Sequence, residues 1–190
     1  MVQLLKGRFT VADYHRMVEC GILAEDDRVE LLDGQVIPMT PIGSPHAGCV
    51  NRLNRLLTTA LGDRATIAVQ NPAVLDAWSE PQPDLTVLKP RTDGYALRHP
   101  QPADVLLLIE VSDSSVEYDR EVKLPLYAAA GVVEVWLVNL PADRIETYRD
   151  PGTDGYASVR RPKRGESINP LRLPSLTLMV DDILGGRLDG

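Results

Sequence analysis

The sequence predicts a mixed α/β fold, in which helices pack against a β-sheet. The first observation is an uninterrupted apolar run at 105–109, which is typical of a strand covered on both faces. The second is a helical pattern at 119–130 that ends at Gly131, and the third is another apolar strand at 132–138. A strand, a helix and a strand in this order favour a parallel or mixed sheet with flanking helices.

Length and composition are those of an ordinary globular protein. The chain has 190 residues, of which 44% are apolar and 25% charged, and we expect one domain over residues 1–190. The net charge of −7 argues against a generally basic nucleic-acid-binding surface but allows a local basic patch. Cys20 and Cys49 are too few for a disulfide framework or a zinc cluster.

No apolar stretch reaches the ~20 residues that a membrane-spanning helix needs. The first eight residues also lack the apolar region of a secretory signal peptide. We therefore expect a cytoplasmic protein that does not contact a membrane.

The N-terminal part predicts a helix and then a β-hairpin. The helix spans 10–20, with Thr10 and Asp13 spaced as an approximate capping box. The hairpin spans 28–37, and Asp33-Gly34 suits its type I′ turn. Alternation along the first strand places Glu30 on the same face as Leu32. The pattern leaves two readings open, a glutamate that faces inward and an edge-strand glutamate in solvent.

A second helix is predicted to begin with Ser44 as its cap and Pro45 in its first turn, and to end near Leu61. His46 lies in its first turn, where a histidine is more often a capping or surface residue than a ligand. A strand follows at 66–70, and 72–75 continues it or pairs with it. Asp84 then begins a short apolar strand that ends at Leu88.

The C-terminal part predicts another hairpin, with strands at 144–149 and 156–160 around a turn at 150–155. The dense basic run comprises Arg160, Arg161, Lys163 and Arg164, and a solvated turn is its ordinary interpretation. Short strand segments and a terminal turn are expected at 168–184.

Two carboxylates are predicted on neighbouring strands, because Asp84 opens one strand and Glu110 lies near the end of the next. Lys123 follows on the adjoining helix, one turn after Asp119. Two acids that hold Mg²⁺ beside an ammonium suit metal-assisted hydrolysis of phosphodiesters. Buried acid–lysine pairs also serve purely structural ends, so this spacing alone leaves both interpretations open.

The motifs together resemble those of the Uma-type endonuclease family, a bacterial branch of the PD-(D/E)XK nuclease superfamily. The similarity covers roughly residues 8–184. It rests on these residues and motifs: Val29-Glu30-Leu-Leu-Asp-Gly-Gln-Val, His46 at a helix start, Pro83-Asp84, Ile109-Glu110-Val111, Asp119-x-x-x-Lys123-x-x-x-Tyr127-x-x-x-Gly131-Val-x-Glu134-x-Trp136 and Leu173-Pro-Ser-Leu-x-Leu.

The resemblance implies a restriction-endonuclease-like fold, namely a mixed sheet flanked by helices with extra N-terminal and C-terminal hairpins. It also implies Asp84 and Glu110 as metal ligands. The superfamily places acid-x-lysine on one strand, where this chain has Glu110-Val111-Ser112, so Lys123 on the helix is expected to supply the amine. Glu30, Gln70 and His46 are implied as further site residues, with Ser112 and Asp119 around them.

The sequence therefore leads to a Mg²⁺- or Mn²⁺-dependent DNA endonuclease, expected to be a homodimer because a duplex has two strands to cut. The candidate phosphate contacts are Arg52, Arg55, Arg160, Arg161, Lys163 and Arg164. One alternative is a weak or inactive nuclease fold that acts as a nucleic-acid-binding or assembly module. A hydrolase of another substrate class is a third reading, and no G-x-S-x-G motif supports it.

Overall fold

The structure, a computed structural model, describes residues 7–24 and 26–186. Six strands of this part of the chain form one sheet: β3 (Thr66–Val69), β4 (Leu85–Leu88), β5 (Val105–Ser112), β6 (Glu134–Asn139), β7 (Arg144–Gly152) and β8 (Gly155–Arg160). They lie side by side in chain order. β5 and β6 pair in parallel, and every other neighbouring pair is antiparallel. The mixed sheet predicted from the sequence is confirmed.

Helices cover both faces of the sheet. The covering helices are α2 (Ser44–Leu61) and α3 (residues 116–129), and the chain also has α1 (Val11–Glu19) and the C-terminal helix (Val180–Leu184). On one face, Leu53 and Leu57 of α2 pack with Leu107 of β5. On the other face, Leu124 of α3 packs with Leu108 of β5. Because successive side chains of a strand point to opposite faces, Glu110 lies on the α3 side with Leu108.

The predicted N-terminal hairpin is confirmed as β1 (Val29–Leu32) and β2 (Gln35–Pro38). Asp33 and Gly34 both have positive φ angles, of 47° and 77°, as a type I′ turn requires. The hairpin forms a separate two-stranded sheet and reaches the 71–84 segment through a backbone bridge between Leu31 and Glu80. Leu31 and Glu30 are both buried, so β1 is part of the interior, whereas β2 is exposed or half-buried.

Helix α3 differs from the prediction in its start and its winding. It begins at Val116 rather than Asp119, and a π-helical turn, Asp119–Lys123, lies between the α-helical segments Val116–Tyr118 and Leu124–Ala129. Apolar spacing of about 3.6 residues cannot indicate such a turn, because its side chains follow a different period. The turn contains both predicted site residues of this helix, Asp119 and Lys123.

Two smaller predictions are wrong. Residues 72–75 form no strand and instead donate backbone hydrogen bonds to the 79–81 segment and Pro100. Gly43, not Ser44, is the N-cap of α2. The predicted C-terminal hairpin is confirmed as β7 and β8, which extend to a two-residue connection and join the main sheet. Beyond them, β9 (Ser167–Ile168) and β10 (Leu178–Met179) form a two-stranded sheet before the C-terminal helix.

Among the described residues, no helix has the length and apolar character that crossing a membrane would require.

Replacing Gly34 by alanine should lower the free energy of unfolding by more than 2 kcal/mol. A left-handed conformation costs about 1–2 kcal/mol for a residue with a Cβ atom. That atom would also lie 2.7 Å from the Cβ atom of Arg8, whose segment is fixed by a backbone hydrogen bond from Phe9 to Gly34. Gly62 is the matched control, since its φ is 50° and its added Cβ would meet open space. Urea titration of both variants would contradict this account if Gly62→Ala cost as much as Gly34→Ala.

Candidate active site

Asp84 and Glu110 lie side by side at one end of the sheet. The antiparallel register pairs Leu85 with Ile109, which places Asp84 next to Glu110. Each carboxylate accepts a hydrogen bond from the other strand's backbone. The Val111 amide donates to Asp84 Oδ2 over 2.9 Å, and the Asp84 amide donates to Glu110 Oε2 over 3.3 Å. The separation of the two acids is therefore set by strand pairing.

Lys123 reaches back from α3 over these strand ends. Its Nζ lies 3.4 Å from Glu110 Oε1 and 3.2 Å from Glu30 Oε2. The Gln82 amide also donates to Glu30 Oε2, over 3.2 Å. Glu30 is 3% exposed, so of the two readings left open by the sequence, the structure has the inward-facing one. One ammonium thus joins carboxylates from the hairpin and the main sheet.

Tyr127 is a site residue that the sequence analysis did not single out. Its hydroxyl donates to Glu110 Oε1 over 2.6 Å, and its side chain is fully buried. The available signal was its position four residues after Lys123, which places both on one helical face. Glu110 is consequently fixed on one oxygen by Tyr127 and Lys123 and on the other by the Asp84 amide.

His46 and Gln70 fix the other acid. His46 Nε2 lies 3.0 Å from Asp84 Oδ2, and Gln70 Nε2 donates to Asp84 Oδ1 over 3.2 Å. The first turn of α2 carries His46, while Gln70 follows β3 in a left-handed conformation with φ of 51°. Nδ1 of His46 is buried without a hydrogen-bond partner in the described part of the chain.

Ser112 and Asp119 form a neighbouring pair. Ser112 Oγ donates to Asp119 Oδ2 over 2.6 Å, and Ser115 Oγ donates to the same atom over 2.7 Å. These bonds join the end of β5 to the π-helical turn. Ser112 occupies the position at which the superfamily pattern has lysine. Its hydrogen bond holds Asp119 beside the end of β5.

Burial dominates the electrostatics of Glu110. It raises the pKa of this carboxyl to about 8, although the Lys123 charge and the Tyr127 hydrogen bond act in the opposite direction. Burial alone would lower the pKa of Lys123, but Glu110, Glu30 and Asp119 raise it overall. The pKa shifts of Glu110 and Lys123 depend on each other, because the charged form of Lys123 is stabilised only while an ionised carboxylate faces it. We take Lys123 as the charged partner near neutral pH, since Glu30 also faces it.

The pKa of His46 is raised, first by its hydrogen bond to Asp84 and, after the opposing effect of burial, by the charges of Asp84, Asp113 and Asp119. A cavity of about 240 Å³ opens over these groups. Its charged and titratable lining comprises five carboxyl groups and three basic side chains: Glu30, Asp84, Glu110, Asp113, Asp119, Arg28, His46 and Lys123.

A divalent cation fits this donor set. Carboxylate oxygens are the ligands that Mg²⁺ and Mn²⁺ prefer, and the lining has more carboxyl groups than cations. Asp84 and Glu110 lie at neighbouring strand ends and line the same cavity.

The predicted phosphate contacts divide into two groups. Arg52 donates to the carbonyls of Ile183 and Leu184, and Arg164 forms ion pairs with Asp143 and Asp181. These two arginines are engaged within the fold, which the local sequence could not indicate because their partners lie far away in the chain. The others are exposed, namely Arg55, Arg160, Arg161 and Lys163.

Strand register places the exposed basic run at the same end of the sheet as the carboxylates. Ser112 pairs with Asn139, Asn139 pairs with Arg144, and Arg144 forms a bridge with Lys163. Three interstrand steps therefore separate the end of β5 from Lys163, which is about 14 Å at ~4.8 Å per step.

A family model described as "Putative restriction endonuclease" and named Uma2 matches residues 11–181. The chain belongs to the Uma2 family. This membership confirms the resemblance seen in the sequence, and with it the class of protein expected, a nuclease family. Among curated proteins, none matches the chain.

Two solved structures resemble the fold. One is a protein from Anabaena variabilis ATCC 29413, described as a putative nuclease belonging to DUF820. It superimposes with a TM-score of 0.72 at 14% sequence identity, and the match covers 93% of this chain and 97% of the Anabaena chain. The type IIG restriction endonuclease BpuSI has a TM-score of 0.39 at 14% identity, over 62% of this chain and 14% of its own. The first likeness shows a shared fold, and the expected restriction-endonuclease-like architecture is confirmed; the second supports no argument.

Proposed function

We propose that this Uma2 chain is a Mg²⁺- or Mn²⁺-dependent DNA endonuclease. The observation that carries the proposal is the meeting of Asp84 and Glu110 at one strand end, with Lys123 Nζ 3.4 Å from Glu110. These three groups come from two strands and a helix that are far apart in the chain. A purely structural ion pair would not require the second carboxylate or the cavity above it.

Asp84 and Glu110 would bind the ion, with Glu30 as a further acid close to it. Bound there, Mg²⁺ or Mn²⁺ lowers the pKa of a coordinated water and neutralises charge on the phosphate. His46 and Gln70 orient Asp84, and Tyr127 orients Glu110, through the hydrogen bonds described above.

Lys123 acts as a charged donor in this proposal. Its raised pKa keeps the ammonium protonated near neutral pH, so it is unsuited to deprotonating the attacking water. An ammonium beside the reacting phosphate instead stabilises the negative charge that develops there. Arg28, which is exposed and lines the cavity, is placed to contact the same phosphate.

The exposed residues Arg160, Arg161 and Lys163 are proposed to contact the DNA backbone about 14 Å from the end of β5, and Arg55 to contribute at α2. Arg52 and Arg164 are left out because their charges are used inside the fold. Phosphate contacts of this kind make binding fall steeply with salt. The homodimer, the single domain over 1–190 and the cytoplasmic location remain proposals.

Supercoiled plasmid provides the test. Purified protein should convert it to nicked and linear forms with Mg²⁺ or Mn²⁺ and leave it intact in EDTA. A parallel assay with structured RNA of the same length tests the choice of DNA. Cleavage that persists in EDTA would refute the metal requirement, and cleavage of RNA alone would refute the substrate.

A nuclease fold without catalysis, acting as a binding or assembly module, is the alternative. The placement of the lysine on a helix instead of the strand is the observation that favours it. Calorimetry separates the two, because a module that lost the chemistry would show no Mg²⁺ or Mn²⁺ affinity at millimolar metal.

Replacing Tyr127 by phenylalanine should weaken Mn²⁺ binding about 10–100-fold at neutral pH, as other losses of ligand-orienting groups do. The Tyr127 hydroxyl lowers the pKa of Glu110, so its removal raises that pKa and increases competition from protons. The deficit should therefore shrink as the pH rises above 8. Calorimetry at three pH values measures this, and a pH-independent deficit would contradict it. Tyr118→Phe, at the cavity wall, is the matched control.

A further inference from the structure

A second cluster of metal-ligating side chains lies away from the carboxylates of the proposed nuclease site. It comprises His15 of α1, Glu80 of the 71–84 segment and His99 of the 89–102 loop. One ligand atom from each lies within 4.8 Å of the other two. Among the residues that the structure describes, no other group of three or more histidine, cysteine or acidic side chains lies close enough together to share an ion.

An ion pair between a histidine and a glutamate would account for only part of this arrangement. His15 Nε2 lies 2.7 Å from Glu80 Oε2, and the Glu80 side chain is 4% exposed. His99 adds a second imidazole, whose ring centroid lies 6.1 Å from that of His15. Two imidazoles beside one buried carboxylate exceed what a single ion pair needs, and two imidazolium charges there would repel each other.

The backbone fixes the three ligands relative to one another. The Val11 amide at the start of α1 donates to the Ala77 carbonyl over 2.9 Å. The Val74 amide donates to the Pro100 carbonyl, also over 2.9 Å, which ties the residue after His99 to the same segment. Glu80 exchanges two backbone hydrogen bonds with Leu31, of 2.7 and 3.3 Å. The cluster is therefore largely formed before any ion enters.

We propose that His15, Glu80 and His99 bind a zinc ion. Two imidazole nitrogens and one carboxylate oxygen are a ligand set that suits Zn²⁺ and not Mg²⁺. Tetrahedral zinc with bonds of about 2.0–2.1 Å separates its ligand atoms by roughly 3.4 Å. On zinc binding, the 2.7 Å distance between His15 and Glu80 would lengthen to this value. The longer distances between ligand atoms, which are at most 4.8 Å, would shorten to it.

A fourth position remains for water or another small ligand. A cavity of about 390 Å³ lies against the cluster and is lined by both histidines, Val74, Tyr95, Leu97 and Gln101. The metal reaches the ligands from this side. It would join α1, the segment that leads to Asp84 and the 89–102 loop, and so stabilise the approach to the nuclease carboxylates.

Calorimetric titration of the full chain with Zn²⁺, supported by the visible spectrum of the Co²⁺ form, tests the proposal. We expect one equivalent of Zn²⁺ to bind in the wild type and in Thr92→Ala, an exposed residue of the same loop that does not line the cavity. Affinity should fall at least about tenfold in His99→Ala, whose side chain is exposed and can be removed without disturbing the core. Zn²⁺ at a hundredfold excess over its Kd should raise the wild-type Tm by about 5–10 °C.

Glu110→Gln separates this site from the nuclease site. It should keep the zinc equivalent, because Glu110 contacts none of the three ligands proposed here. Wild-type zinc affinity in His99→Ala would overturn the proposal, and so would loss of the zinc equivalent in Glu110→Gln. Failure of plasmid cleavage bears on the nuclease proposal alone.

Discussion

Glu110→Gln should reduce Mn²⁺-supported plasmid nicking by about a thousandfold or more. The amide keeps the shape of the side chain, and its oxygen can still accept from the Asp84 amide while its NH2 group donates to the Tyr127 hydroxyl, but it removes the charge that binds the ion. Glu121→Gln is the matched control, because Glu121 is exposed on the same helix as Lys123. Equal nicking by Glu110→Gln and the wild type would refute the assignment.

The same variant has an expected effect on stability. Burial raises the folded-state pKa of Glu110 to about 8, above its ordinary value of 4.5. A group raised in this way contributes stability that is fully present below pH 4.5 and is lost as the pH rises through 8. Without metal, Glu110→Gln should therefore be at least as stable as the wild type at pH 8. A clear loss of stability there, measured in urea with EDTA, would show that Glu110 has a structural role.

Lys123→Met should abolish nicking and also destabilise the protein, by about 3–5 kcal/mol at pH 8. The substitution leaves Glu30 and Glu110 buried without the ammonium that lies 3.2 and 3.4 Å from them. At pH 5 the loss should be smaller, since Glu110 can then take a proton. Denaturant titrations at the two pH values measure the difference.

Mn²⁺ should restore part of the stability of Lys123→Met, because the ion replaces the missing positive charge, but it should not restore nicking. Lys123→Arg provides the comparison that keeps the charge while changing its shape. Recovery of nicking in Lys123→Met with Mn²⁺ would show that the ammonium is not required for the reaction.

Periodicity and turn chemistry were sufficient to predict most of the fold. The run 105–109, Gly131 and the Asp33-Gly34 turn each have one local interpretation, and the sheet and hairpin confirm it. The π-helical turn at Asp119–Lys123 was not predictable in this way, since its residues lie within an ordinary helical pattern. Contacts between residues far apart in the chain, such as those of Arg52 with its carbonyl partners, have no local sequence signal either.

Most of the residues that the structure brings together around the cavity had been named from the sequence. Their roles in catalysis stay predictions. Asp84, Glu110 and Lys123 were found because the strand ends and the helix spacing bring them close, and the family motifs named them. Tyr127 stands in the family motif but was given no role, although its hydroxyl bonds to Glu110. The zinc cluster joins residues 15, 80 and 99, and no spacing rule connects three ligands so far apart.

The amide of Val111 donates to a side chain rather than to a neighbouring strand's carbonyl. Its protection from solvent exchange therefore depends on Asp84 being in place, and not on the sheet alone. A single backbone proton thus reports whether the two acids have come together, in a sample without substrate and independently of any assay of cleavage.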